Sequence, residues 1–100
     1  MTRRLVYTPE SLIDIESARD WYEGASEGLG GAFLDQLEAC VELVAQFPEA
    51  FTRHQGPLRV ANLRRYPYVV VYEFDRSEIR IAAVVHTARG PYYWQERFGE

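Results

Sequence analysis

A proline interrupts the most strand-prone stretch of this chain, Leu63-Arg64-Arg65-Tyr66-Pro67-Tyr68-Val69-Val70-Val71-Tyr72. Pro67 has no backbone N–H to give to a sheet ladder, so it must lie at a turn, a bulge or an edge. The β-branched and aromatic run after it suits a strand. A fixed bend is therefore expected before that strand, with Arg64, Arg65, Tyr66 and Tyr68 around it. Cationic and aromatic side chains are gathered there where they can face a partner.

The pattern on either side of the bend sets the fold class. Residues 4–7 read as a short opening strand. Thr8-Pro9-Glu10 then suits a helix start, with Thr8 as cap, Pro9 in the first turn and Glu10 complementing the helix dipole. Leu12, Ile15, Ala18, Trp21 and Tyr22 recur at near-helical spacing, and Gly24 is expected to end the helix. A second helix is expected after Ser26 or the Gly28–Gly31 segment. Its apolar stripe is Phe33, Leu34, Leu37, Cys40, Val41 and Val44, and Phe47-Pro48 closes it. From Arg59 the period becomes two. Strands are expected over residues 59–66 and 68–74, and a tight turn at Asp75-Arg76-Ser77-Glu78 leads into a strand over 79–86. In that last strand Ile79, Ile81, Ala83 and Val85 should share one face, and Arg80, Ala82, Val84 and His86 the other. The sequence thus predicts one α+β domain over residues 1–100. It consists of an N-terminal strand, a two-helix hairpin and a three-stranded antiparallel meander, with the helices on one face of the sheet.

Several function classes drop out early. The longest apolar runs fall far short of the roughly 20 residues that cross a bilayer. No apolar segment of signal-peptide length follows Arg3 and Arg4, so a cytoplasmic chain without a membrane partner is expected. Cys40 is the only cysteine, which excludes an internal disulfide and a cysteine-based metal site. His54 and His86 lack a paired metal-binding spacing; no metal and no cofactor is expected. Gly28-Leu29-Gly30-Gly31 has neither the preceding strand nor the following Lys-Ser/Thr of a phosphate loop, and reads as a hairpin turn. No serine sits in a Gly-x-Ser-x-Gly context. The acids of the first helix read as a solvated face.

Charge distribution is more telling than the net charge of −4. The first fifty residues hold three arginines against ten acids, and the last fifty hold eight arginines against five acids. Every cation is arginine, so planar, permanently charged forks are available for carboxylate or phosphate, and no lysine can act as acid or base. Arg59, Arg64, Arg65, Arg89 and Arg97 are interleaved with Tyr66, Tyr68, Tyr92, Tyr93 and Trp94. That constellation can hold phosphates and stack bases, or bind an acidic peptide bearing aromatic side chains.

Taken in order, these pieces resemble the RelE/ParE superfamily of bacterial toxins from type II toxin–antitoxin systems. The resemblance is carried by the opening strand and Thr8-Pro9-Glu10; by Trp21-Tyr22, Gly28-Leu29-Gly30-Gly31-Ala32-Phe33-Leu34 and Phe47-Pro48-Glu49; and by the bend around Pro67. His86 with Arg89, Pro91, Trp94 and Arg97 completes it. The Tyr-Pro-Tyr and His-x-x-Arg patterns and the lack of lysine resemble the ParE branch. At Thr87-Ala88-Arg89-Gly90 the chain departs from relatives that carry a further basic residue and an acid before the proline. The resemblance implies a toxin neutralised by a cognate ParD-like antitoxin, with operator DNA reached only through that antitoxin. The ParE branch implies DNA gyrase as target. The RelE branch implies ribosome-dependent mRNA cleavage, for which Tyr92 and Tyr93 are candidates, and an inactive toxin acting only as antitoxin partner or co-repressor is the third reading. Target-binding candidates are His86, Arg89, Tyr92, Tyr93, Trp94 and Arg97; antitoxin-binding candidates are Arg59, Arg64, Arg65, Tyr66 and Tyr68. No catalytic residue is assigned.

Overall fold

Thr8 joins the first strand to the first helix and ties both to the sheet. In the computed structural model, which describes residues 3–89, 93, 96 and 97, β1 spans Arg4–Tyr7 and α1 spans Pro9–Ala25. The Thr8 hydroxyl accepts from the Ser11 N–H at 3.1 Å and donates to the Ala82 carbonyl at 3.2 Å. Pro9 occupies the first helical turn, where its missing N–H costs nothing.

Gly24 does not end α1, which runs one residue beyond it; a lone glycine costs a helix only about 1 kcal/mol. The reversal comes at Gly28, whose φ of 89° suits glycine alone among common residues. Helix α2 spans Leu29–Gln46, and its start has no side-chain cap from Gly28. Glu23 serves instead, accepting the Gly28 and Gly30 N–H groups at 3.0 and 2.9 Å. Those two bonds hold its carboxyl below the usual carboxylate range. A Cβ at position 30 would lie 2.8 Å from the Arg19 carbonyl, so glycine there sets how closely the helices approach.

The strands are β2 (Thr52–Gln55), β3 (Leu58–Asn62), β4 (Tyr68–Phe74) and β5 (Glu78–His86), in the sheet order β1-β5-β4-β3-β2. Helices on a mixed sheet confirm the α+β class, with one strand more than the sequence indicates. β2 is polar and exposed, so it carries no alternation to reveal it, and it contains His54. The strand expected over 59–66 starts one residue earlier and stops at Asn62, because the chain turns off the sheet ahead of Pro67. β1 pairs in parallel with β5 from Arg4↔Glu78 to Tyr7↔Ile81; the other pairs are antiparallel.

The core lies between α2 and the sheet. Phe33, Leu37, Cys40, Val41 and Val44 from α2 meet Ala61, Leu63, Val70, Tyr72, Ile79, Ile81 and Val84. Burial pushes the Cys40 thiol up to about 11, consistent with an unreactive core residue. The α1 stripe is corrected: Ser11 and Ala18 are buried, whereas Leu12 and Trp21 face solvent. Among the described residues no helix is long and apolar enough to cross a membrane.

The expected faces of β5 are also corrected. Register steps from Val71↔Ala83 to Tyr72↔Ile81, leaving Ala82 without a partner on β4. This is a β-bulge, and it reverses the alternation beyond it. Ile79 and Ile81 share the helix-side core with Val84, while Ala83 and Val85 join Val69 and Val71 in a second cluster. The ring of His86 consequently packs edge-on against Tyr68, with centroids 5.1 Å apart.

Candidate functional site

Where β5 outruns β1, its open edge is closed by side chains instead of a strand. Asp14, projecting from α1, accepts the Val84 N–H at 2.9 Å, as a neighbouring strand's carbonyl would. The same carboxylate receives both terminal nitrogens of Arg97, at 3.2 and 2.7 Å. Arg97 also reaches the Ala82 carbonyl at 3.4 Å and donates to the Tyr93 hydroxyl at 2.5 Å. Both members of the ion pair are only 16% exposed, where a two-bond charged contact is worth more than a surface pair. Burial works against the Arg97 charge, but the hydrogen bond and charge of Asp14 hold its pKa above the ordinary value.

That anchor orders the groups beside it. The Arg89 guanidinium carbon lies 4.5 Å from the centre of the Tyr93 ring, and that of Arg97 lies 5.9 Å from it. The Arg89 N–H is held by the His86 carbonyl at 3.0 Å. The His86 Nδ1 accepts the Ala88 N–H at 2.9 Å, so the proton of the neutral ring sits on Nε2. His86 then offers a donor through Nε2, not a lone pair.

These groups border a cleft of about 770 Å3 between α1 and the ends of β4 and β5. Ala18, Val84 and Val85 supply apolar lining, Tyr22, Tyr68 and Trp21 aromatic lining, and Asp14, His86 and Arg89 the ionisable groups. The volume falls within the usual range of ligand sites. Burial raises the pKa of both Tyr22 and Tyr68, keeping their hydroxyls protonated at neutral pH. Among the described residues no group of three or more His, Cys, Asp or Glu side chains could hold a metal.

The bend around Pro67 is arranged differently. The Tyr68 N–H donates to the Tyr66 carbonyl at 2.7 Å across the proline, and Thr87 donates to the Pro67 carbonyl at 2.8 Å. Tyr66 and Tyr68 turn inward, to ring centroids 5.0 and 6.1 Å from Tyr22 and 5.4 and 5.3 Å from Phe33. Arg64 and Arg65 stay exposed and line a separate, polar groove of about 540 Å3 with Gln36. Arg65 has φ 73°, the one described non-glycine residue in the left-handed region. Arg59 is directed into the fold, donating to the Phe51 and Glu49 carbonyls at 2.7 and 3.3 Å.

The sequence-predicted residues thus fall into two places. His86, Arg89, Tyr93 and Arg97 come together at the cleft, and Tyr68 joins them from the other group. Arg64 and Arg65 lie at the second groove, and Arg59 at neither. Tyr92 and Trp94 are outside the described residues. Sequence reasoning missed Asp14, Ser17, Trp21 and Tyr22 as cleft residues. The available signal was position: Asp14 lies three residues after buried Ser11 and four before buried Ala18, on the flank of the buried stripe rather than opposite it.

The comparisons agree with this architecture. No curated protein matches the chain. A solved structure described as "Chromosomal ParDE TA system from P. aeruginosa" superposes with a TM-score of 0.63 at 19% identity, covering 85% of this chain and 96% of that one. The model of the family described as "ParE toxin of type II toxin-antitoxin system, parDE" matches residues 5–91. The match covers most of the chain, from the strand before Thr8 to Pro91, and the protein therefore belongs to the ParE toxin family of type II toxin–antitoxin systems.

Proposed function

We propose that this chain is a toxin that inhibits DNA gyrase by binding through its cleft end, and that a ParD-like antitoxin neutralises it in the cytoplasm. The observation that carries a binding rather than a cleaving role is the hydrogen bond from Ala88 to His86 Nδ1. RNA cleavage needs a base to take the 2′-hydroxyl proton. The lone pair of His86 is occupied, Asp14 is engaged by Arg97 and Val84, and tyrosines with raised pKa are poor bases at neutral pH. The membership in the ParE branch supports gyrase as the target.

An antitoxin partner is supported by the structural relative, which belongs to a chromosomal ParDE system. Its acidic segment is assigned to the Arg64–Arg65 groove and the adjoining helix hairpin, where two arginines make no hydrogen bond or ion pair among the described residues. Operator DNA is then reached through the antitoxin alone.

Induced expression with parallel readouts of DNA supercoiling and mRNA integrity tests the target. Altered topology and a DNA-damage response with intact mRNA are expected. Rapid codon-positioned cleavage with normal topology would establish the nuclease reading instead, and absence of both, with antitoxin binding retained, would leave a co-repressor.

A further inference from the structure

The cleft continues onto an exposed row of α1, apolar at both ends, that the fold does not use. Trp21 is 69% exposed and Ile13 62% exposed, while their neighbours Ser11 and Ala18 are buried. Ile13, Ser17 and Trp21 follow at four-residue intervals, so they form one line along the helix. Trp21 packs edge-on against Tyr22 at 5.2 Å and is otherwise presented to solvent at the cleft. Grouped exposed apolar side chains beside a cleft mark an interaction site more strongly than scattered ones.

Charge selects the occupant. Within the cleft Asp14 is neutralised by Arg97, leaving the Arg89 guanidinium and the His86 Nε2–H as donors for one anionic group. Glu10, Asp14, Glu16, Asp20 and Glu23 give α1 five acids against one arginine, a poor surface for the continuous negative charge of a nucleic-acid backbone. One cation, one further donor and an exposed indole instead match a single carboxylate beside a bulky apolar side chain. The Arg64–Arg65 groove, with its different lining, leaves this surface for a second partner.

Building on the toxin reading above, we infer that the cleft and the Ile13–Ser17–Trp21 row form the docking surface for a protein segment of the target. That segment sets a bulky apolar side chain against Trp21 and a carboxylate against Arg89 and His86. Recognition then depends on α1 as much as on the end of β5, with Trp21 as the central aromatic anchor that protein interfaces favour.

The test compares Trp21→Ala, the double variant Ile13→Ser/Trp21→Ala and Arg89→Glu with the wild-type chain at matched expression. All replaced side chains are exposed, so melting temperatures within about 2 °C of wild type are expected. Survival after induction should rise at least about tenfold for each, while calorimetric affinity for the antitoxin stays within about twofold. Leu43→Ser, which removes an exposed apolar side chain from α2, should remain fully toxic. Full toxicity in the folded double variant would overturn the assignment. A parallel loss of antitoxin affinity would overturn it too, by giving the surface to the antitoxin, as would RNA cleavage that Trp21→Ala abolishes. A wild-type chain that fails to inhibit growth would instead overturn the toxin reading itself, before any variant is compared.

Discussion

Arg97 and the Arg64–Arg65 pair show two opposite uses of the same side chain. Arg97 is largely covered and spends its guanidinium on Asp14, Tyr93 and the Ala82 carbonyl. Arg64 and Arg65 stand in water beside Gln36. The first arrangement replaces a missing strand at the edge of β5; the second leaves charge available to something outside the molecule. Sequence proximity to aromatic residues does not separate them, since tyrosines accompany both. What separates them is whether a carboxylate on another element lies within reach. An arginine near aromatic residues is thus evidence of a partner only after the internal partners have been accounted for.

The largest effect should come from breaking the internal pair. Asp14→Ala leaves the Arg97 guanidinium and the Val84 N–H without their acceptor, and a loss of about 3 kcal/mol in urea unfolding is expected. Asp14→Asn keeps an acceptor for Val84 and should lose roughly half as much. Equal losses would mean that the hydrogen bond to Val84 contributes nothing beyond the charge. At the exposed pair, Arg64→Glu or Arg65→Glu should leave unfolding unchanged but weaken antitoxin binding by roughly tenfold, about 1.4 kcal/mol by calorimetry. Unchanged affinity in both would remove the antitoxin from this groove. Tyr93→Phe keeps the ring beside Arg89 and removes only the bond from Arg97, for an expected loss of about 1 kcal/mol. The smallest shift has the opposite sign. Arg65→Gly relieves a left-handed φ at the cost of a more flexible unfolded chain, so a net gain below about 1 kcal/mol is expected, together with weaker antitoxin binding.

The parts of the fold legible in the sequence are those set by local chemistry. Thr8-Pro9 starts α1, Phe47-Pro48 ends α2, and Pro67 marks a bend, because each acts through its own backbone or its immediate neighbours. The parts that escaped depend on distant residues. Thr52–Gln55 is a strand only because β3 lies beside it, and nothing in Thr-Arg-His-Gln alternates. Ala82-Ala83 carries no mark of the bulge, which exists only as a count against β4. Asp14 looks like any solvent-facing acid until the open edge of β5 and the return of Arg97 give it a role. The site was half readable for the same reason: His86, Arg89, Tyr93 and Arg97 cluster in sequence, whereas the α1 side of the cleft is separated from them by the whole sheet.

The unpaired Ala82 makes the working end of the molecule a matter of parity. In a pleated strand odd and even positions lie on opposite sides, and one surplus residue exchanges their roles from there on. Beyond it, Val84 rather than Ala83 meets the helices. The ring of His86 comes to rest against Tyr68 on that same side, beside the open cleft. Straightening that bulge while keeping all nine residues of β5 in regular alternation would act as an inversion. Val84 and His86 would cross to the far side, Ala83 and Val85 would turn toward α1, and the cleft would lose its imidazole with every side chain still present. Deleting Ala82 would instead preserve the sides, since Ala83 would follow Ile81 on the far side and Val84 would again meet the helices. A residue added between Phe74 and Glu78 would lengthen a turn and leave that parity untouched.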